Sequence, residues 1–173
     1  EFMGNAPSAG ADVFSGTPAD LTIYYHEGTT GWLESDGTKY LLDEEGTPLT
    51  GQQVVDNQTY FFDQEGKMTV GWLENRYFRE DGTMATGWQE ADGTKRYFLE
   101  DGIMATGWVK VDGKWYLMSP SGHMLTGWQK SGGKWYYLSS HMRTGWIQSG
   151  GKWYYMDSSG AMQTGWEKVD GKW

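Results

Sequence analysis

A glycine-tryptophan step recurs about every twenty residues, and this repeat limits the fold more than any other feature of the chain. The tripeptide Thr-Gly-Trp occurs six times, and related tripeptides fill two further places. The glycines stand at positions 31, 51, 71, 87, 107, 127, 145 and 165, so most steps are 20 residues long, one is 16 and one is 18. Repeats of this length are typical of solenoids, in which each unit covers the apolar face of its neighbour. We therefore expect about eight small stacked units.

Each unit is predicted to be a short β-hairpin. In the unit that starts at Gly107, the run GWVKV is followed by Asp-Gly and then by KWYLM. Asp-Gly and Gly-Gly favour tight hairpin turns because such turns need positive φ. A link punctuated by Gly122 leads to the next unit, and a Met precedes most of the repeat glycines by three residues. The sequence thus predicts an all-β solenoid, or superhelix, of stacked short β-hairpins.

The tryptophans of the later units are predicted to pair on one face of each hairpin. Side chains alternate between the two faces of a strand, so Trp108 and Trp115 share a face and lie diagonally, within reach of large rings. The same geometry holds for Trp128 with Trp135 and for Trp146 with Trp153. A box of ring faces suits a large soft cation, since a quaternary ammonium group donates no hydrogen bonds. Repetition adds avidity when the ligands are arrayed on a polymer or a surface.

Composition and charge exclude several classes of protein. The net charge is −9 and no basic run occurs, which argues against a nucleic-acid partner. No apolar stretch approaches the ~20 residues of a membrane span. Cysteine is absent, so disulfides and thiolate metal sites are not available. The histidines and the carboxylates of the links lack metal-ligand or catalytic spacing, and we expect no catalytic residue, metal or cofactor.

The pattern TGWxxxxGKWYYxxxxGxM in Thr126–Met162 resembles the choline-binding, or cell-wall-binding, repeat, and it is also similar to glucan-binding repeats. The resemblance covers about residues 29–173 and is most specific over 105–173. It implies a superhelix of hairpins that holds choline between neighbours, with two aromatic rings from one hairpin, one from the next and a Met nearby. It further implies a secreted protein of the bacterial cell surface, whose partner is the choline of cell-wall teichoic acid or a polysaccharide.

Carried over by position, the resemblance implies a ligand-binding set of Trp, Tyr and Met side chains. The set is Trp108, Trp115, Trp128, Trp135, Tyr137, Met124, Trp146, Trp153, Tyr155, Met142, Met162 and Trp166. Tyr137 and Tyr155 are the favoured third rings because the alternation puts them on the Trp face, and Tyr136 and Tyr154 are the alternates. The last pair, Trp166 and Trp173, has no following hairpin in this sequence.

The early repeats depart from this pattern. Where the later units carry their second Trp, the early ones carry Lys39, Thr59, Asn75 and Lys95. A lysine in an aromatic cage would repel a cationic ligand, so these units are expected to serve as scaffold. The unit that starts at Gly71 has lost four residues and keeps only a stub hairpin.

These differences predict four regions and leave three functions open. Residues 1–20 form a flexible segment that begins with a cloning remnant, 21–30 an entry strand, 31–104 degenerate repeats, and 105–173 well-matched repeats of which the last is truncated. A choline-binding cell-wall module is preferred over a glucan-binding module and over a purely structural stalk. The open ends of a solenoid also offer faces through which copies can self-associate.

Overall fold

The computed structural model describes residues 22–24, 31–35 and 37–165. Within these ranges the chain consists of strands and turns without a helix, as predicted for an all-β repeat protein, and none of it forms a helix that could span a membrane. The strands are β1 (Thr22–Tyr24), β2 (Gly31–Ser35), β3 (Thr38–Leu42), β4 (Gly51–Val55), β5 (Gln58–Phe62), β6 (Gly71–Leu73), β7 (Arg76–Phe78), β8 (Gly87–Ala91), β9 (Thr94–Phe98), β10 (Gly107–Val111), β11 (Lys114–Met118), β12 (Gly127–Ser131), β13 (Lys134–Leu138), β14 (Gly145–Ser149) and β15 (Lys152–Met156).

From β2 onward the strands pair two by two as antiparallel hairpins, β2 with β3, β4 with β5 and so on to β14 with β15. Strand β1 adds a third strand to the first hairpin. Each hairpin begins at a repeat glycine, which is followed by Trp except at Gly51-Gln52, and the two strands are joined by two residues. At the β10–β11 turn, Asp112 and Gly113 have φ of 48° and 77°, the positive pair that a tight primed turn requires. The described ranges hold seven hairpins; the predicted eighth unit begins at Gly165 and lies almost wholly outside them.

The 16-residue step produces a shortened hairpin. Strands β6 and β7 have three residues each, where the other hairpins have five in each strand. Each of the two strands has therefore lost two residues, and the pairing register of the remaining residues is unchanged. Trp72 still faces Tyr77 across the pair, as Trp88 faces Tyr97 in the next hairpin.

The core of each hairpin lies at the end of its second strand. In every hairpin, the residue opposite the opening glycine is at most 2% exposed. These residues are Leu42, Phe62, Phe78, Phe98, Met118, Leu138 and Met156. The opening glycines from Gly51 to Gly145 have φ between 68° and 78°, a left-handed conformation that glycine adopts without strain. Burial of one of the apolar side chains opposite them contributes about 1.5–3 kcal/mol. This is the buried apolar position that all seven described hairpins share, and it anchors each of them.

Four of the links donate a backbone hydrogen bond to the hairpin that precedes their own. In the link after β13, the Met142 N–H donates to the carbonyl of Trp115, 2.7 Å away on β11. In the link after β15, the Met162 N–H donates to the carbonyl of Trp135 at 2.7 Å. The chain divides into two compact units, one ending at Ala85 and one beginning at Thr86. Both contain this contact, since Met68 and Met84 of the first unit donate in the same way to Lys39 and Thr59.

Candidate aromatic cages

Four side chains from two consecutive repeats form a cleft in the second unit, here called the Trp108 cage: Trp108, Trp115, Tyr136 and Met142. The Trp108 and Trp115 rings lie 6.5 Å apart and nearly perpendicular, at 86°. Tyr136, on the next hairpin, approaches Trp108 edge to face at 5.0 Å. The predicted pairing of the two tryptophans on one face follows from the observed register, in which Trp108 is opposite Leu117 and Lys110 is opposite Trp115.

The cleft between these side chains is open and large enough for a small ligand. Its volume is about 390 Å³, and Ser158 and Ser159 from the link after β15 complete its lining. Trp115 remains 40% exposed, so its ring is available to a molecule that enters from solvent. Binding pockets for small molecules begin at about 300 Å³. The cleft therefore combines three ring faces with two hydroxyl groups at one edge.

A second group repeats this arrangement one hairpin later and is called the Trp128 cage: Trp128, Trp135, Tyr154 and Met162. Trp128 and Trp135 are 6.5 Å apart at 83°, and Tyr154 lies 4.7 Å from Trp128. Trp135 is 42% exposed, close to the value of Trp115. Met162 reaches this group through its backbone hydrogen bond to Trp135.

The indole N–H of the first tryptophan in each cage is held by the following hairpin. Trp108 Nε1 donates to Ser131 Oγ, and Trp128 Nε1 donates to Ser149 Oγ, both at 3.1 Å. Sequence reasoning missed these serines and the pair Ser158 and Ser159. A signal for the first two was present, because serine ends the first strand in these two repeats, as Ser35 does in the first repeat, where Val55 and Val111 stand in others.

The structure puts Tyr136 and Tyr154 against the preceding tryptophans, in place of the favoured Tyr137 and Tyr155. Tyr137 is opposite Trp128 in its own hairpin and contacts that ring at 5.2 Å. Tyr155 lies 5.1 Å from Trp146 in the same way. The alternation was predicted correctly, but the face that meets the preceding hairpin is the opposite one. The tyrosines that meet the preceding hairpin are thus the alternates, and their role as third rings of a ligand site stays a prediction.

The remaining predicted residues fall outside these two cages. Trp146 and Trp153 are 57% and 62% exposed on the last described hairpin. Trp166 lies outside the described residues. Met124 occupies the same place in its link as Met142, but one repeat earlier, and it does not line the Trp108 cage.

Cations and carboxylates of the chain itself shape the electrostatics around the cages. Lys110 Nζ lies 5.8 Å from the Trp115 ring centroid and Lys130 Nζ lies 6.0 Å from that of Trp135, near the limit for cation–π attraction. At the rim of the Trp108 cage, the Asp157 carboxylate accepts from the Ser159 hydroxyl at 2.6 Å and from the Ser159 and Ala161 N–H groups. These hydrogen bonds, first that of the Ser159 hydroxyl, lower the pKa of Asp157.

In the described part of the chain, carboxylates of the links accept backbone hydrogen bonds within their own turns. Asp43 and Asp63 accept backbone N–H groups two and four residues further on. Within that part of the chain, no cluster of three or more His, Asp or Glu side chains is arranged to hold a metal ion. The carboxylates therefore stabilise the turns that separate the hairpins.

A series of short hairpins with aromatic cages between neighbours defines a repeat-built binding module. Two family models match the sequence: the choline-binding repeat over residues 74–106 and 105–141, and the cell wall binding repeat over residues 144–162. The chain belongs to the choline-binding repeat family.

Solved structures agree with this assignment. Choline binding protein F from Streptococcus pneumoniae is 38% identical, with a TM-score of 0.71 over 78% of this chain and 52% of its own. CbpJ from Streptococcus pneumoniae TIGR4 is 38% identical, with a TM-score of 0.72 over 81% and 54%. The modular autolysin LytC from the same species is 25% identical, with a TM-score of 0.64 over 81% and 36%. This chain spans about half the length of the first two. A comparison with curated protein sequences found no match.

Proposed function

We propose that this chain is a non-catalytic module that holds choline, or a similar quaternary ammonium group, in the Trp108 cage and in the Trp128 cage. The observation that carries the proposal is the repeated geometry of the two groups. In each, two tryptophans lie 6.5 Å apart, a tyrosine of the next hairpin lies within 5.0 Å of the first, and the methionine of the next link donates its backbone N–H to the second. Rings whose planes are inclined to one another by 66–86° suit a rounded cation better than a flat sugar ring.

The chemistry of the two cages matches a trimethylammonium group. Its methyl groups need apolar contact, which the indole and phenol rings supply, and its charge is attracted by the negative potential of the ring faces. At ~0.5–2 kcal/mol for each ring, three rings contribute about 1.5–6 kcal/mol. A dissociation constant of 1 mM corresponds to about −4.1 kcal/mol, so each cage alone is expected to bind weakly to moderately.

We propose that the partner is the choline carried by teichoic acids of a bacterial cell wall, and that the protein is secreted to that surface. Weak single sites are useful when the ligand is arrayed along a polymer, because the second binding event becomes intramolecular. Two cages on successive hairpins suit such an array. The net charge of −9 adds a general attraction for cationic groups.

The proposal is tested on a quaternary-amine resin and, in parallel, on a dextran column. Because an acidic protein also binds such a resin by ion exchange, elution is compared between choline chloride and sodium chloride at the same ionic strength. Specific release by choline is the expected result. Release by both salts at the same concentration, or retention on dextran alone, would overturn the proposal in favour of simple charge attraction or of sugar stacking.

A further inference from the structure

A third ring pair with the geometry of the two cages lies one repeat earlier. Tyr116 approaches Trp88 edge to face at 4.9 Å and 71°, compared with 5.0 Å and 66° for Tyr136 and Trp108. The two rings that come from successive hairpins are thus already in place. What differs is the residue that completes the group, because Lys95 stands where Trp115 stands in the next repeat.

Lys95 directs its charge onto this ring pair. Its Nζ lies 4.8 Å from the Trp88 ring centroid, which is at least 1 Å closer than Lys110 or Lys130 lies to its tryptophan. A lysine ammonium at this distance from an indole face makes the attraction that a bound quaternary ammonium group would make. The side chain is tethered to its own hairpin, so it competes at a high effective concentration, in the millimolar range for short flexible tethers.

The shortened link after β13 lies beside the same group. The link after β13 is two residues shorter than the link after β11, which accounts for the 18-residue step. It brings the His141 ring to 6.2 Å from the Tyr116 ring. In the next repeat, the full-length link instead presents Ser158 and Ser159 to the open cleft of the Trp108 cage.

We infer that Lys95 is a built-in cation of the Trp88 site, where its ammonium group occupies the ring face that an external ligand uses in the later cages. The site is therefore closed to quaternary ammonium ligands and is packed without one. This inference rests on the proposed function. It makes Lys95 a specificity-determining residue, since its charge decides whether this ring pair receives a ligand from outside.

The test is a titration of the whole chain with choline chloride, followed through the indole N–H signals in ¹⁵N NMR spectra. In the native chain, the signals of Trp108 and Trp128 are expected to shift and that of Trp88 to stay. Lys95→Met removes the charge and keeps an unbranched apolar stem; in this variant the Trp88 signal is expected to respond as well, and one more choline is bound per chain. Lys95→Arg keeps the charge and is expected to behave like the native chain.

Two results would overturn the inference while the proposed function stands: a Trp88 signal that shifts in the native chain as strongly as that of Trp108, or a Lys95→Met variant in which Trp108 responds and Trp88 does not. Retained Trp108 and Trp128 responses in the variant show that it is folded.

A second measurement needs no ligand. The Lys95 ε-methylene protons, held over the Trp88 ring, are expected to resonate upfield of their usual position through the ring current, and this shift is lost in Trp88→Leu. Usual chemical shifts for these protons would contradict the inference even if the later cages bind nothing. If the indole signals of Trp108 and Trp128 do not respond to choline while the Lys95 ε-methylene protons are shifted upfield, only the proposed function is contradicted.

Discussion

The indole N–H of Trp108 donates a hydrogen bond to Ser131 Oγ, 3.1 Å away on the following hairpin. This bond fixes how the Trp108 ring is presented to the cage, because the donor is partly buried and needs its acceptor. Leaving a buried donor unsatisfied costs about 1–3 kcal/mol. The orientation of one repeat's ring thus depends on a small polar side chain of the next.

Ser131→Ala is expected to weaken choline binding at the Trp108 cage about 2- to 10-fold, since the indole loses its acceptor and its fixed orientation. The Trp128 cage, whose indole is held by Ser149, is expected to keep its affinity. The two cages are followed separately by their indole NMR signals during a choline titration. Ser131→Thr retains a hydroxyl group and serves as the control. Equal weakening of both cages would mean that the substitution acts through the fold.

Trp135→Ala removes one ring of the Trp128 cage. At ~0.5–2 kcal/mol for a ring, binding at this cage should weaken about 2- to 30-fold, and the choline concentration that elutes the protein from a quaternary-amine resin should fall. Thr59→Ala, at the matching place of an early repeat, is the control and should elute like the native chain. Equal losses from both changes would show that the sites are misplaced.

Tyr136 and Tyr137 are neighbours in sequence but pack against different tryptophans, Trp108 and Trp128. In a chain that already carries Trp135→Ala, so that the Trp108 cage dominates binding, Tyr136→Ala should remove most of the remaining affinity because it deletes the third ring. Tyr137→Ala should leave that affinity nearly unchanged, since its ring packs on Trp128. Calorimetric or NMR titration with choline measures both. A larger loss of affinity from Tyr137→Ala than from Tyr136→Ala would instead support Tyr137 as the third ring, as strand alternation had predicted.

The link glycine Gly160 gives Met142 its place in the Trp108 cage. A Cβ atom at Gly160, where φ is +80°, would lie 2.3 Å from Met142 Sδ, so Gly160→Ala must displace this side chain. Gly145→Ala is a matched control, because φ there is +75° and nothing lies within 4 Å. Both variants should lose a similar ~1–2 kcal/mol of stability from left-handed backbone. Only Gly160→Ala should also weaken choline binding, as determined by titration and by denaturant unfolding. Unchanged affinity in Gly160→Ala would remove Met142 from the cage.

Asp157 makes the rim of the Trp108 cage sensitive to acid. Hydrogen bonds, above all from the Ser159 hydroxyl, hold the pKa of Asp157 below its ordinary value of 3.8. A carboxyl group whose pKa is depressed by folding stabilises the fold above its unfolded pKa, and that contribution is lost as the pH falls through the folded pKa. We expect the turn and the cage rim to loosen below about pH 4. Asp157→Asn should reduce this acid dependence in unfolding measurements from pH 2 to 6, and an identical profile would contradict the assignment.

Sequence periodicity was sufficient for the hairpins, their turns and the pairing of Trp108 with Trp115, because these depend on contacts within one unit. It was insufficient for the third ring. Alternation separates Tyr136 from Tyr137 by face, yet only the stacking of two hairpins decides which face meets Trp108. Ser158 and Ser159 were missed for a similar reason, since they line the Trp108 cage from a link more than forty residues after Trp115.

The backbone hydrogen bond from Met142 to Trp115 means that the binding place begun by one repeat is completed by the repeat that follows it. Duplication of a single twenty-residue segment would therefore create one whole new binding place, and deletion would abolish one, with no remodelling elsewhere. Valency in such a module can change in integer steps during evolution, and a single substitution of the Lys95 kind can silence one place while the array keeps its length.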